Sequence, residues 1–145
     1  MMISYFDTSV LLAILLDQDK QEEAFGYWQN STRVSSILLR IESVIALRRT
    51  YENNKNNLPN DWLNKKIKIM DEYLATVNYL LVNEKIERTV YSQNELAQCR
   101  SLDAIHIATA LQFREISNNE AMNLYTFDKT MHGLAEYFKF KTNFL

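Results

Sequence analysis

Ile3-Ser4-Tyr5-Phe6-Asp7-Thr8-Ser9 runs from a short apolar stretch into an acid and two small hydroxyls, and Val10-Leu11-Leu12 follows at once. Residues 3–6 have the length and composition of a buried strand, and Asp-Thr-Ser ahead of an apolar run is a helix start. A buried strand that feeds directly into a helix is the repeating unit of a parallel α/β sheet.

The rest of the chain repeats that alternation. Residues 10–16 read as a short, almost wholly apolar helix, and residues 20–30 as a second, with Ala24, Phe25 and Trp28 at helical spacing. Residues 33–36 are a candidate second strand, and 37–51 a long helix with apolar positions 37, 38, 41, 44, 45 and 47. The Asn-rich stretch 53–60, which holds the only proline, is the strongest loop signal, and Asn60 caps a helix over 61–75. Residues 78–82 read as a third strand, after which Asn83 caps a helix reaching position 97. A helix over 102–116 carries Ala104, Ala108 and Ala110, small enough to let it pack closely. Residues 124–127 are a fourth strand, Asp128 opens a last helix to 137, and 138–141 are expected to add a fifth strand at the edge. The expected fold class is therefore α/β: three layers, α/β/α, around a parallel sheet of four to five strands.

At 145 residues the chain is expected to form one domain, 1–145, with a core that needs no metal or disulfide to hold it. Cys99 is the single cysteine, which excludes an intrachain disulfide and points to a reducing cytoplasm. No apolar run approaches the roughly 18 residues of a membrane span, and the N-terminus carries no basic leader. A net charge of −2 does not advertise nucleic-acid binding, yet a few local Arg and Lys residues can meet phosphates while an acidic site lowers the total.

Four acids interrupt apolar sequence where a strand or helix should end or turn: Asp7, Glu42, Asp103 and Asp128. A carboxylate set among apolar residues risks a large desolvation cost and needs a reason. Asp7 and Asp128 can serve as N-caps, and Asp103 as a first-turn acid against the helix dipole with Ser101 as cap. Glu42 is harder to explain locally, because positions 38, 39, 45 and 46 are Leu, Leu, Ile and Ala, leaving no base one turn away. Glu42 is expected to point inward and to need a cation from elsewhere, whether Arg, Lys or metal. Convergence of all four acids would form an oxygen-rich site for a hard divalent cation. His106, one turn after Asp103, can either bond that acid or line the same site. With no closely spaced His or Cys pair, a zinc site is disfavoured, and no glycine-rich phosphate loop or Gly-x-Ser-x-Gly elbow is present.

Phe6-Asp7-Thr8-Ser9, the stretch Ser36 to Glu42, the run Arg100-Ser101-Leu102-Asp103-Ala104-Ile105-His106-Ile107-Ala108-Thr109-Ala110 and Thr126-Phe127-Asp128 together resemble the PIN-domain ribonucleases. Within them the pattern is most similar to the VapC toxins of toxin–antitoxin pairs. The match covers essentially the whole chain in the right order, and the segment around Asp103 is its most specific part. The resemblance implies that the metal-site acids are Asp7, Glu42, Asp103 and Asp128, that Thr126 is the small hydroxyl beside the last acid, and that Thr8 or Ser9 supports the first. It implies an endoribonuclease using one or two Mg²⁺ or Mn²⁺ ions, with Asp7 and Asp103 as principal ligands and Glu42 and Asp128 binding directly or through water. Products would carry a 5′-phosphate and a 3′-hydroxyl. Arg40 and Arg100 are the candidates for drawing in the RNA. Expected partners are RNA, a small antitoxin whose Arg or Lys reaches the acids, and a second copy of the chain. A PIN-like scaffold that binds without cutting, or a PIN nuclease for RNA processing without a toxin role, is the alternative. A receiver or dehalogenase-like domain fits poorly, since residues 81–83 lack a phospho-acceptor Asp and Asp7-Thr8-Ser9 lacks a second one.

Overall fold

The computed structural model describes residues 1–118 and 121–142. In chain order the elements are β1 (Met2–Phe6), α1 (Thr8–Leu15), α2 (Gln21–Gln29), β2 (Ser31–Ser36), α3 (Leu38–Asn54), α4 (Trp62–Leu74), β3 (Asn78–Leu80), α5 (Glu84–Ser92), α6 (Ser101–Ile116), β4 (Asn123–Tyr125) and α7 (Lys129–Tyr137). The strands form one parallel sheet in the order β3-β2-β1-β4.

Successive side chains of a strand point to opposite faces, and β1 uses this to found two cores. Phe6 packs with Val10, Leu11, Trp28, Leu39 and Leu47 in the layer built by α1 to α4. Tyr5 faces the other way, into the layer of Ile107, Leu124, Met131 and Leu134 supplied by α6, β4 and α7. Both rings are fully buried, each contributing about 1.5–3 kcal/mol of hydrophobic stabilisation. This is the three-layer α/β/α arrangement expected from the alternation of elements.

The strand order creates one switch point. From β1 the chain steps outward to β2 and β3, then crosses back to place β4 on the other side of β1. Connections leaving neighbouring strands in opposite directions open a crevice beyond the strands' carboxyl ends, where ligands of parallel sheets bind. Here that crevice lies past Phe6 and Tyr125, where the chain continues into Asp7 and Thr126.

Apart from shifts of one or two residues at element ends, and caps that fall on Asp61 and Arg100 rather than on Asn60 and Ser101, three elements differ from the sequence expectation. α3 runs on to Asn54 and continues as a 3-10 turn over Lys55–Asn57, so the Asn-rich stretch is half helical; Asn54 donates from its own side chain to the Thr50 carbonyl at 2.8 Å. The helix beginning at Asn83 stops at Ser92, and a 3-10 turn over Asn94–Gln98 replaces its last part. The fifth strand shrinks to one parallel bridge, Asn123 to Lys141. α7 ends through Lys139 at φ 69°, a left-handed turn, and of residues 138–141 only Lys141 pairs with the sheet edge.

Candidate active site

Asp7 follows β1 and caps α1, its Oδ1 accepting from the Val10 N–H at 3.4 Å. The capping bond is long, and two hydroxyls hold the carboxylate more closely. Ser9 Oγ donates to Oδ1 at 2.6 Å and Thr126 Oγ1 donates to Oδ2 at 2.5 Å. Each hydroxyl is itself fixed by the backbone after β4: Phe127 N–H donates to Ser9 Oγ at 3.0 Å, and Asp128 N–H to Thr126 Oγ1 at 3.0 Å. The two carboxyl ends of β1 and β4 are thereby stitched together through Asp7.

Asp7 is 4% exposed and, among the described residues, has no Lys or Arg in ion-pair range. Burial pushes its carboxyl above the usual carboxylate range, opposed by the Ser9 and Thr126 hydroxyls, the charge of His106 and the Val10 N–H. Asp128 caps α7, with Met131 N–H donating to its Oδ1 at 2.8 Å. Asp103 lies in the first turn of α6, where Arg100 Nε approaches it at 3.5 Å. Burial raises the Asp103 carboxyl, the Arg100 guanidinium opposes that, and the Asp128 carboxylate raises it further. Burial comes first in both cases, so repulsion between acids is the smaller cause of the upward shifts.

Glu42 does point inward from α3, but its partner is neither Arg nor Lys. His106 Nε2 stands 2.6 Å from Glu42 Oε1, and Thr8 Oγ1 donates to the same oxygen at 2.7 Å. Burial pushes the Glu42 carboxyl up, yet the His106 hydrogen bond and charge, the Thr8 hydroxyl and the Arg100 charge outweigh it and hold the group below its usual range. His106 therefore bonds Glu42, 64 residues away in sequence, rather than Asp103 one turn before it.

All four acids line one cleft of about 480 Å³, together with Thr8, Ser9 and His106. Its rim carries the exposed apolar side chains Ile41, Ile45 and Leu102 and the guanidinium-bearing Arg49 and Arg100. Arg40 lies outside this lining, its guanidinium 5.6 Å from the centre of the Tyr79 ring. Arg49 was not singled out from the sequence, although positions 42, 45, 46 and 49 share one helical face and so carried the signal. A larger groove of about 850 Å³ between α5 and α6 is lined by Val90, Leu96 and Ile105 and contains none of the four acids. The smaller cleft is the candidate site because it holds the buried carboxyls with perturbed ionisation.

Among the described residues no three His, Cys, Asp or Glu side chains already form a cage for an ion. The donor set nonetheless suits a hard cation. Asp7 is a buried carboxylate with no Lys or Arg in ion-pair range among the described residues, and Asp103 and Asp128 repel each other. Mg²⁺ commonly takes only one or two carboxylates and completes its shell with water and substrate phosphate.

The family model for the PIN domain matches residues 4–136. Among solved structures, a chain from a toxin–antitoxin complex from Klebsiella pneumoniae superposes with a TM-score of 0.64 at 17% identity, covering 90% of this chain and 92% of that one. At that identity the likeness speaks to the fold. No curated protein matches the sequence.

Proposed function

This chain belongs to the PIN domain family, and on that premise we propose that it is a metal-dependent endoribonuclease, the toxin of a toxin–antitoxin pair, cutting RNA at the four-acid cleft. The observation that carries the proposal is Asp7: a buried carboxylate with no Lys or Arg partner among the described residues, clamped by two hydroxyls at the sheet's switch point and lining a cleft shared with Asp103, Asp128 and Glu42.

Asp7 and Asp103 would hold Mg²⁺ or Mn²⁺, with Glu42 and Asp128 completing the site directly or through water. Such an ion supplies an activated water and charge neutralisation at the scissile phosphate. Ser9 and Thr126 keep Asp7 from turning away, since each carboxylate oxygen has a fixed donor. Glu42 stays ionised at neutral pH because His106 and Thr8 both donate to Oε1, which leaves Oε2 to accept a proton from water in the cleft. Asp128 is the other group able to accept that proton. Arg49 and Arg100 at the rim draw a polyanion toward an otherwise acidic hole.

The toxin role rests on the fold shared with the Klebsiella pneumoniae complex and on the residue pattern around Asp103. It implies a small protein partner that places an Arg or Lys among the acids, and a homodimer. No helix among the described residues is long and apolar enough to cross a membrane. A cytoplasmic location is proposed on the single Cys99, which suits a reducing compartment. Incubation of the purified chain with cellular RNA tests the activity: cleavage should need Mg²⁺ or Mn²⁺, stop in EDTA and be absent in Asp7→Asn. The toxin role is tested separately, by adding the product of a small adjacent reading frame and finding whether cleavage stops.

A further inference from the structure

Glu42 is anchored from two directions by groups outside the four-acid set. On one side is its carboxylate: in either protonation state of the ring, His106 Nε2–H donates to Glu42 Oε1, because an ionised carboxylate only accepts. On the other side is its backbone: α3 leaves the sheet directly after Ser36, and the Ser36 N–H donates to Tyr5 Oη at 3.1 Å. The two anchors meet, since Tyr5 Oη also stands 2.6 Å from His106 Nδ1. One phenol thus fixes both the departure point of the helix that carries Glu42 and the imidazole that grips its side chain.

We propose that Tyr5 and His106 are positioning residues that hold Glu42 in its working place, an inference that rests on the nuclease reading above. Neither touches substrate on this view; both act through Glu42. Glu has three rotatable side-chain bonds, and an inward Glu with one loose partner would sample several poses. Two donors on Oε1 select one pose and leave Oε2 free of them in the cleft that Glu42 lines. His106 is 1% exposed and could be replaced by an apolar residue at that depth with less desolvation cost. Its one contact with the cleft acids through hydrogen bonding is Glu42, so the polar ring belongs to that carboxylate. The ring lies edge-on to Tyr5, with centroids 5.8 Å apart at 77°, which leaves little room for it to pivot.

The test uses the full chain and two readouts. In the metal-free protein, side-chain ¹⁵N spectra should show a solvent-protected His106 Nε2–H that shifts in Glu42→Gln and in Tyr5→Phe. A ring proton exchanging freely with water, or unmoved by both substitutions, overturns the geometry. In the Mn²⁺-loaded protein, His106→Ala should lower kcat by about 10–100-fold with little change in KM, the range for losing an outer-shell support. His106→Gln, whose carboxamide restores an N–H toward Glu42, should recover most of that loss, and Tyr5→Phe should fall between. Equal kcat for the Ala and Gln variants, or a loss confined to KM, overturns the proposal. If His106→Ala fails to fold, Tyr5→Phe decides: it keeps the buried ring, and wild-type kcat there sinks the inference. Asp7→Asn is run alongside, because activity surviving in that variant defeats the nuclease reading itself and leaves the spectra to judge the positioning pair.

Discussion

Thr126 Oγ1 donates to Asp7 Oδ2 across 119 residues of sequence, and the same oxygen accepts from the Asp128 N–H. A single hydroxyl thereby joins the first acid of the cleft to the backbone of the last.

Thr126→Val keeps the shape of the side chain and removes that link. It leaves a buried carboxylate oxygen and a part-buried N–H short of a partner, each costing about 1–3 kcal/mol. At roughly 2–4 °C per kcal/mol for a chain of this size, the melting temperature should fall measurably. Cleavage should fall as well, because Asp7 gains freedom to rotate. Melting curves and initial rates on one preparation check both; unchanged values in each would show the hydroxyl to be incidental.

The pH dependence of metal-free stability follows from the ionisation shifts. Asp7 and Asp103 have raised carboxyls, so the folded chain holds their protons after the unfolded chain has released them. Stability is therefore lost as pH climbs from the ordinary carboxylate range through the raised values, and the loss persists above them. Glu42 acts oppositely: its depressed carboxyl contributes stability above the ordinary range, lost as pH falls through the folded value. Asp7→Asn should flatten the decline between acid and neutral pH and leave the EDTA-treated protein at least as stable as wild type at pH 7. Melting curves across pH 3–8, in about one-unit steps, test this. A large loss of stability at pH 7 would make Asp7 a structural cap and no more.

Metal should restore what burial of the acids costs. A ligand at 100 times its dissociation constant adds about 2.7 kcal/mol to the folded state. Mn²⁺ should raise the melting temperature of the wild type and raise it much less in Asp7→Asn or Asp103→Asn. Calorimetric titration of Mn²⁺ into the same three proteins gives an independent reading; equal affinity in all three would place the ion elsewhere.

Arg49 and Arg100 rim the cleft, whereas Arg40 stacks on Tyr79 outside it. Arg49→Ala and Arg100→Ala should raise KM more than they lower kcat. Each should also reduce the salt dependence of RNA binding, by about 0.7 in the logarithmic slope per lost phosphate contact to a single strand. Arg40→Ala should change neither. Filter binding from low to moderate salt separates the three.

Much of this arrangement was legible in the linear sequence, because its signals are local. A strand of a few apolar residues, an acid and a helix start can be read at residues 3–9 and again at 124–128, and their alternation with amphipathic helices gives the parallel sheet. What escaped reading was long-range. The sequence shows that Glu42 has no base one turn away and needs a partner from elsewhere, but not that the partner is His106, which arrives from α6. Arg49 was hidden by its distance from the motif, though its helical face was known. The chain after α7 turns through a left-handed Lys139, which side-chain pattern does not encode. The upward shifts of Asp7 and Asp103 come first from burial, a property of the packed layers, rather than from the crowding of acids that the sequence suggests.

The most direct measurement maps 5′ ends of cellular RNA after incubation with purified wild-type protein and with Asp7→Asn, each in Mg²⁺, in Mn²⁺ and in EDTA. Discrete new ends bearing 5′-phosphates should appear for the wild type with either metal, and should be missing in EDTA and in Asp7→Asn. The same ends persisting in EDTA and in Asp7→Asn would contradict a metal-dependent ribonuclease centred on this carboxylate.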